Sequence, residues 1–228
     1  MQQVFSQPGK PAPHIAGQAD AAVRRTVFIV DDEDLIRTSL ASLLRSMELE
    51  VKDFPSTAAF LAAPKVSGPS CLVLDVRLRG ESGLAFQQSL AGRGLGHMPV
   101  IIMTGHGDVS MTVRAMKAGA RDFLEKPFRD QDMIDAVIAA LELDAKRLVV
   151  ERSLEELRGC WASLTPRERE VLEHVASGRL NKQIAGEMGI AEITAKIHRG
   201  QGMRKMRSRS VAELVRKMQA LGVIRETV

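Results

Sequence analysis

The feature that most constrains the fold of this chain is a short apolar run at residues 70–74, SCLVL, which stops abruptly at Asp75. An apolar run without alternating polar residues is typical of a strand that is buried on both faces, as in a parallel sheet. In open parallel sheets, ligands bind just beyond the carboxyl ends of the strands, where the strand order reverses. Asp75 is therefore predicted to lie at a binding site.

Three other apolar runs also end in polar residues. They are residues 26–30 before Asp31, Asp32, Glu33 and Asp34, residues 99–103 before Thr104, and residues 122–125 before Lys126. Because neighbouring strands lie about 4.8 Å apart, these side chains are predicted to share one edge of one sheet. An Mg²⁺ ion would relieve the repulsion between clustered carboxylates and leave one of them to attack phosphorus. Lys126 and Thr104 would then bind phosphoryl oxygens.

Helices are predicted between these strands. Apolar residues at three- and four-residue steps follow Asp34, which is interpreted as a helix cap. Residues 50–54 are predicted to form a short strand, Ser56 to cap a small helix, and residues 84–90, 108–118 and 130–141 to form further helices. Strand and helix thus alternate five times, which favours an α/β fold with a doubly wound parallel sheet. The proline after Lys126 predicts a cis peptide bond there.

These motifs resemble the receiver domain of two-component response regulators. The resemblance rests on VFIVDDED at 27–34, CLVLDVRLRGESG at 71–83, VIIMTGHGD at 100–108 and AMKAGARDFLEKPF at 115–128. It implies a five-stranded sheet of order 2-1-3-4-5 in which Asp75 accepts a phosphoryl group from a cognate sensor histidine kinase. The Mg²⁺ ligands that it implies are Asp31, Asp32, Asp75 and the main-chain carbonyl of Arg77. The phosphoryl-binding and switch residues that it implies are Thr104, Phe123 and Lys126. Arg79 stands where this family usually has proline.

The charge of the chain is divided unevenly. Residues 26–144 carry 12 Lys and Arg against 17 Asp and Glu, whereas residues 145–228 carry 17 against 10. An acidic half followed by a basic half suggests a regulatory domain joined to a domain that binds nucleic acid. The predicted organisation is a disordered extension at 1–25, a receiver domain at 26–144, a helical linker at 145–160 that ends at Gly159, and a DNA-binding domain at 161–228.

With neither a signal-peptide pattern nor an apolar run long enough to span a bilayer, the protein is predicted to be cytoplasmic.

Four helices are predicted in the last domain, which makes it all-α. Thr165 is followed by Pro166 and, three residues after Thr165, by Glu168, which is the pattern of a capping box. Asn181 is predicted to cap the second helix and Gly189 to end it. Residues 192–206 and 210–221 are predicted to form the third and fourth helices. Two short helices separated by a glycine-containing turn indicate a helix-turn-helix.

The third of these helices has two different faces, at about 100° per residue. The stripe predicted to face the domain core holds Ala195, His198, Gly202 and Met206. The stripe predicted to face outward holds Ile193, Lys196, Ile197, Gly200 and Arg204. Cations and apolar side chains on an outward face suit reading of the major groove, with Lys196 meeting either a base or a phosphate. The predicted flanking phosphate contacts are Arg199, Lys205, Arg207 and Arg209.

This domain resembles the LuxR-type output domain of the FixJ/NarL class of response regulators. The matching segments are LTPREREVLEHVASGRLNKQIAGEMGI at 164–190 and ITAKIHRGQGMRKM at 193–206. The resemblance implies that Lys196, Ile197 and Gly200 meet base edges, and that Lys182 and Thr194 meet phosphates. Gly202 stands where the family usually has an apolar side chain. If the core has space for a methyl group there, Gly202→Ala is predicted to stabilise the domain by about 0.5–1 kcal/mol, whereas a filled site would give the opposite result.

The combined prediction is a transcription regulator and not an enzyme. Phosphorylation of Asp75 is predicted to control homodimerisation and the binding of double-stranded promoter DNA, with RNA polymerase as a further candidate partner. Two other hypotheses are a phosphoryl-transfer enzyme or phosphate sink with an incidental basic half, and an RNA-binding antiterminator. The outward face of the third helix argues against the first. A footprint on duplex DNA would separate the predicted function from the second.

Overall fold

The computed structural model describes residues 24–64, 66–105 and 109–224. The chain divides into two compact units, Met1–Ile138 and Ala139–Val228, each with a hydrophobic core of its own. Residues 1–23 of the predicted extension, and Asp108 at the predicted start of a helix, lie outside the described residues.

The first unit is built on a parallel sheet. Its strands are β1 (Thr26–Val30), β2 (Glu50–Phe54), β3 (Ser70–Asp75), β4 (Val100–Thr104) and β5 (Asp122–Glu125). They lie in the order β2-β1-β3-β4-β5, and each neighbouring pair is parallel. The predicted fold and strand order are confirmed. Because the order reverses between β1 and β3, the carboxyl ends of these two strands flank the point where such sheets bind ligands.

Four helices connect these strands and a fifth follows the sheet. They are α1 (Asp34–Arg45), α2 (Thr57–Leu61), α3 (Gly83–Ser89), α4 (Val109–Lys117) and α5 (Asp130–Ala162). Ser56 caps α2 as predicted, since its hydroxyl accepts the N–H of Ala59 at 3.2 Å. Asp34 is not the cap of α1, because Glu33 holds that position. The Asp34 carboxylate is instead 2.5 Å from the guanidinium of Arg37.

The burial of β1 and β3 explains why their sequences are apolar. All residues of β1 and β3 are buried, so neither strand has a solvent-facing side that would need polar residues. Phe60 packs edge-to-face against Phe28, Phe54 and Phe86, with ring centroids 5.3, 5.8 and 6.1 Å apart. Because such a core is closely packed, it restricts the movement of the ends of β1 and β3.

A short antiparallel ribbon follows β3. Arg77 pairs with Ser82 and Leu78 with Glu81, and Gly80 makes the turn with φ at +77°, a region that favours glycine. Gly83 then begins α3, and a Cβ atom at this position would lie 2.0 Å from the main-chain oxygen of Asp75. Glycine is therefore required for α3 to begin this close to the backbone of Asp75.

Helix α5 is longer than predicted. It runs without interruption to Ala162, so the prediction that Gly159 ends it is wrong. Leu157, Cys160 and Trp161 pack against the core of the second unit, and Arg169 donates to the carbonyl of Ala162 at 3.2 Å. These contacts outweigh the roughly 1 kcal/mol that a glycine costs inside a helix. In the described part of the chain, no helix combines the length and the hydropathy needed to cross a membrane.

Four helices complete the second unit. They are α6 (Pro166–Ala176), α7 (Asn181–Met188), α8 (Glu192–Lys205) and α9 (Val211–Ala220). The predicted capping box is present: Thr165 Oγ1 accepts the N–H of Glu168 at 3.2 Å, and Glu168 Oε2 accepts the N–H of Thr165 at 2.8 Å. Asn181 is the first residue of α7 and not its cap. Leu180 holds the cap position, and its N–H donates to the side chain of Gln183 at 2.8 Å.

Gly202 is buried in α8, as predicted, but no cavity lies beside it. A Cβ atom at Gly202 would lie 2.9 Å from Cγ and 3.0 Å from Cδ1 of Leu172, which is itself fully buried. The space that a stabilising alanine would need is therefore already filled by Leu172.

We expect Gly202→Ala to destabilise the second unit by about 1–2 kcal/mol. Overpacking costs about 1–3 kcal/mol, and the gain in helix propensity of up to about 1 kcal/mol offsets only part of it. Gly200→Ala is the matched control: it lies on the same helix, and its Cβ would have no atom within 4 Å. We expect this control to raise stability by about 0.5–1 kcal/mol.

Urea unfolding measures both variants through the fluorescence of Trp161, the single tryptophan of the chain, which packs against this core. A higher unfolding midpoint for Gly202→Ala would show that Leu172 moves aside without cost.

Candidate functional site

Three charged side chains meet at the carboxyl edge of the sheet. Asp31 follows β1, Asp75 ends β3 and Lys126 follows β5. The Nζ atom of Lys126 lies 2.8 Å from Asp31 Oδ2 and 2.8 Å from Asp75 Oδ1. The side chains of Asp31, Asp75 and Lys126 are only 0%, 7% and 15% exposed. The peptide bond after Lys126 is cis, as predicted.

Main-chain N–H groups hold the other oxygen of each carboxylate. The N–H of Glu33 donates to Asp31 Oδ1 at 2.7 Å, and the N–H of Arg77 donates to Asp75 Oδ2 at 2.6 Å. Each carboxylate is therefore bound on one oxygen by the Lys126 ammonium and on the other by the backbone. This double contact sets the orientation of Asp75 before any substrate arrives.

Burial and neighbouring charges shift the pKa values of Asp75 and Lys126 in opposite directions. Burial raises the pKa of Asp75 above its usual value, although Lys126 and the N–H of Arg77 act to lower it. Burial by itself would lower the pKa of Lys126, but its hydrogen bonds to Asp31 and Asp75 raise that pKa. Lys126 therefore stays a cation in the pocket.

Asp32, the other acidic residue predicted to bind a metal, pairs with a different cation. Its Oδ2 atom lies 3.1 Å from Nε of Arg79, which extends from the ribbon after β3. The Asp32 side chain is 15% exposed and that of Arg79 is 86% exposed. Nothing in the sequence pattern predicts this ion pair, because the two residues lie in separate loops.

The remaining residues predicted for this pocket lie around the same edge of the sheet. Thr104 is buried at the end of β4, and its main-chain oxygen accepts the N–H of Lys126 at 2.7 Å. Phe123 lies in β5, half-buried against the hydrophobic core of the first unit. Arg77 is exposed in the ribbon, where its own N–H binds Asp75. The pocket is therefore formed by residues from every strand of the sheet except β2.

Helix α8 presents a mixed surface of cations and isoleucines. Lys196 and Arg204 are exposed, and Ile193 and Ile197 are 63% and 51% exposed. On the opposite side of the helix Ala195, Gly202 and Met206 are buried. The two faces agree with those predicted from the periodicity, except that His198 of the inward stripe and Gly200 of the outward stripe are both half-buried. Among the other predicted DNA contacts, Lys182 is exposed in the first turn of α7, and Thr194 and Gly200 are half-buried on α8.

Known proteins resemble the chain along most of its length. The family described as response regulator receiver domain matches residues 27–138, and bacterial regulatory proteins of the luxR family match residues 162–218. Nodulation protein W of Bradyrhizobium diazoefficiens is 50% identical over 207 residues, which cover 91% of each chain. This chain belongs to the response regulators. Transcriptional regulatory protein FixJ of Azorhizobium caulinodans is 46% identical, over 86% of this response regulator and 93% of FixJ.

Solved structures agree with this assignment. The response regulator StyR is 44% identical, with a TM-score of 0.79 over 86% of this chain and 98% of StyR. Full-length FixJ from B. japonicum is 37% identical, with a TM-score of 0.52 over 88% of this chain and 98% of FixJ. This response regulator therefore joins a receiver domain to a LuxR-type DNA-binding domain, and its relative FixJ of Azorhizobium caulinodans is a transcriptional regulatory protein.

Two cations that were predicted to contact DNA phosphates have partners inside this response regulator. The Nζ atom of Lys205 lies 2.6 Å from Oε2 of Glu168, the buried member of the capping box. Burial would raise the pKa of Glu168, but the hydrogen bonds from Lys205 and the N–H of Thr165 lower it. Arg199 donates to Oδ1 of Asn181 at 2.9 Å. Both cations therefore support the helix-turn-helix itself, and their contact with phosphates stays a prediction.

The carboxylates of Asp31, Asp32 and Asp75 supply the oxygen atoms that Mg²⁺ prefers, but these atoms do not form a complete metal site. In residues 24–64, 66–105 and 109–224, no three Asp, Glu, His or Cys side chains converge as a metal site requires. The oxygens of Asp31 and Asp32 instead contact Lys126 and Arg79. Because Mg²⁺ keeps several waters and needs only one or two carboxylates, this donor set fits the ion once a carboxylate is released from its cation.

Proposed function

We propose that this response regulator is a DNA-binding transcription regulator that is controlled by phosphorylation of Asp75. The phosphoryl donor is a phosphohistidine of a cognate sensor kinase. An oxygen of Asp75 forms the new P–O bond while the P–N bond to the kinase histidine breaks, and the histidine leaves with the bonding electron pair. The observation that carries the proposal is the contact of Asp75 with both Lys126 and the N–H of Arg77.

The neighbouring residues stabilise the charge that develops during this transfer. Lys126 is already 2.8 Å from Asp75, so its ammonium can follow a phosphoryl oxygen without a large movement. Thr104 supplies the switch hydroxyl, and Phe123 is the switch aromatic that responds to it. Asp31, Asp32, Asp75 and the carbonyl of Arg77 are the proposed Mg²⁺ ligands. The ion, when bound, neutralises phosphoryl oxygens.

The second half of the proposal concerns the output. Residues 26–144 act as the receiver, 145–160 as the linker and 161–228 as the DNA-binding domain. Phosphorylation favours a homodimer, and the dimer binds promoter DNA through α8. At the promoter the dimer can also contact RNA polymerase. Lys196, Ile197, Gly200 and Arg204 read bases or flanking phosphates, with Lys182 and Thr194 on the backbone. A kinase and promoter DNA as partners correspond to a protein that works in the cytoplasm.

Selection of bound DNA from a random duplex pool tests the function. One sample of protein is treated with acetyl phosphate and Mg²⁺, and a second receives Mg²⁺ alone. We expect the treated protein to sediment as a dimer and to enrich sequences with two half-sites related by symmetry. Equal enrichment and equal sedimentation of the two samples would contradict control by phosphorylation. A parallel selection from a random single-stranded RNA pool tests the output, and tighter binding of the selected RNA than of the selected duplex would contradict DNA binding.

A further inference from the structure

Lys126 and Arg79 partly neutralise the carboxylates of Asp31, Asp32 and Asp75, and the two cations are held in different ways. Lys126 is mostly buried and contacts two carboxylates at 2.8 Å. Arg79 is 86% exposed and contacts one carboxylate, that of Asp32, at 3.1 Å. An exposed ion pair with a single contact is weak and easily displaced, whereas a buried one with two contacts is not. Arg79 is therefore the cation that can leave.

The ribbon keeps Arg79 near Asp32. Its two strands pair Arg77 with Ser82 and Leu78 with Glu81, so the turn that carries Arg79 is tied at its base. On the other side, the hydroxyl of the buried Thr57 donates to the carboxylate of Glu81. A guanidinium tethered in this way stays close to Asp32 after the ion pair opens, so it is present at a high effective concentration.

The charges in the metal-free pocket do not balance, and this favours the binding of Mg²⁺. Asp31, Asp32 and Asp75 carry three negative charges, against two positive charges on Lys126 and Arg79. Exchange of Arg79 for Mg²⁺ would leave three negative charges against three positive ones. A neutral residue at position 79 would leave the metal-free pocket with one more unbalanced negative charge, and clustered carboxylates then attract a cation more strongly.

We propose that Arg79 is a tethered counter-cation that competes with Mg²⁺ for Asp32. The guanidinium occupies the carboxylate while the metal is absent and swings away when the metal binds. Arg79 thereby sets the Mg²⁺ concentration at which Asp75 becomes ready for phosphorylation. The inference rests on the proposed magnesium-dependent function, and it makes Arg79 a residue that acts on metal binding without contacting the phosphoryl group.

Calorimetric titration of the full chain with MgCl₂, without a phosphoryl donor, tests the competition directly. We expect Arg79→Gln to bind Mg²⁺ about two- to fivefold more tightly than the wild type, the factor that an exposed ion pair is worth. Arg79→Lys keeps the charge and should stay close to the wild type. Arg121→Gln is the matched control, because it removes the same charge from an exposed residue just before β5, at the opposite edge of the sheet.

A second readout follows from the same competition. The Mg²⁺ concentration that half-saturates labelling of Asp75 by acetyl phosphate should fall for Arg79→Gln by the same factor as the dissociation constant. Equal or weaker Mg²⁺ binding by Arg79→Gln would overturn the competition, and an equal gain in Arg121→Gln would show that only total charge matters. Labelling of Asp75 is scored separately, so its absence in a protein with the expected Mg²⁺ affinities would count against the proposed function alone.

Discussion

Asp75→Asn should reduce phosphoryl labelling by at least about 100-fold, because the substitution removes the nucleophilic oxygen and leaves the shape of the side chain. The wild-type protein, incubated with acetyl phosphate and Mg²⁺, should gain the mass of one phosphoryl group in intact-mass spectrometry. The pocket makes the expectation specific: Asp75 is the carboxylate that ends β3, and both of its oxygens are oriented by Lys126 and the N–H of Arg77.

Asp34→Asn is the matched control for this experiment. Asp34 belongs to the same run of acids as Asp31 and Asp32, but its side chain is 85% exposed and pairs with Arg37. This variant should be labelled as the wild type is. Undiminished labelling of Asp75→Asn, in protein whose circular dichroism is unchanged, would remove Asp75 as the phosphoryl acceptor. Labelling of the wild type without Mg²⁺ would argue against the proposed metal ligands.

Lys196→Ala should weaken DNA binding by about 1–3 kcal/mol if the ammonium contacts a base, and the preferred sequence should change at that position. Lys196 is exposed on α8 beside the exposed Ile197, whereas the preceding Ala195 is buried. If the ammonium contacts only a phosphate, binding should fall equally for all sequences. The dependence of the logarithm of affinity on the logarithm of salt concentration should then become shallower by about one.

Arg167→Ala controls for the loss of one positive charge. Arg167 is 59% exposed in the first turn of α6, where it pairs with Glu170, and it is not a predicted DNA contact. Fluorescence anisotropy with a selected duplex, at several salt concentrations, measures both variants. If Lys196→Ala and Arg167→Ala behave alike in affinity, salt slope and sequence preference, Lys196 has no specific contact with DNA.

The residues of the acidic pocket could be predicted because their signals are local. An apolar run that ends at a carboxylate carries the information about burial and about the strand end within six residues, as at Ser70–Asp75. Two runs that end at carboxylates and two that end at Thr104 and Lys126, in an α/β pattern, are enough to bring the polar ends to one edge. The capping box of Thr165 and Glu168 was predictable for the same reason, since both partners lie within one helical turn.

The misplaced caps show where local reasoning stops. Asp34 and Asn181 are both good capping residues, yet each is the first residue of its helix. Their side chains bind Arg37 and Arg199 instead. The capping propensity of a residue indicates that a helix begins near it. Which residue holds the cap position depends on the other groups that its side chain can bind, here the guanidinium groups of Arg37 and Arg199.

The sequence by itself determined the fold class, the order of the elements, the acidic pocket and the outward face of α8, because strand burial and helix periodicity are repeated over short stretches. The tertiary structure alone decided which partner each side chain has. Leu172 fills the space beside Gly202, Glu168 holds Lys205, and packing of Trp161 carries α5 past Gly159. These outcomes depend on distances of a few ångströms between elements that lie far apart in the chain or in separate turns. No local pattern encodes such distances, since they are set only when the helices pack.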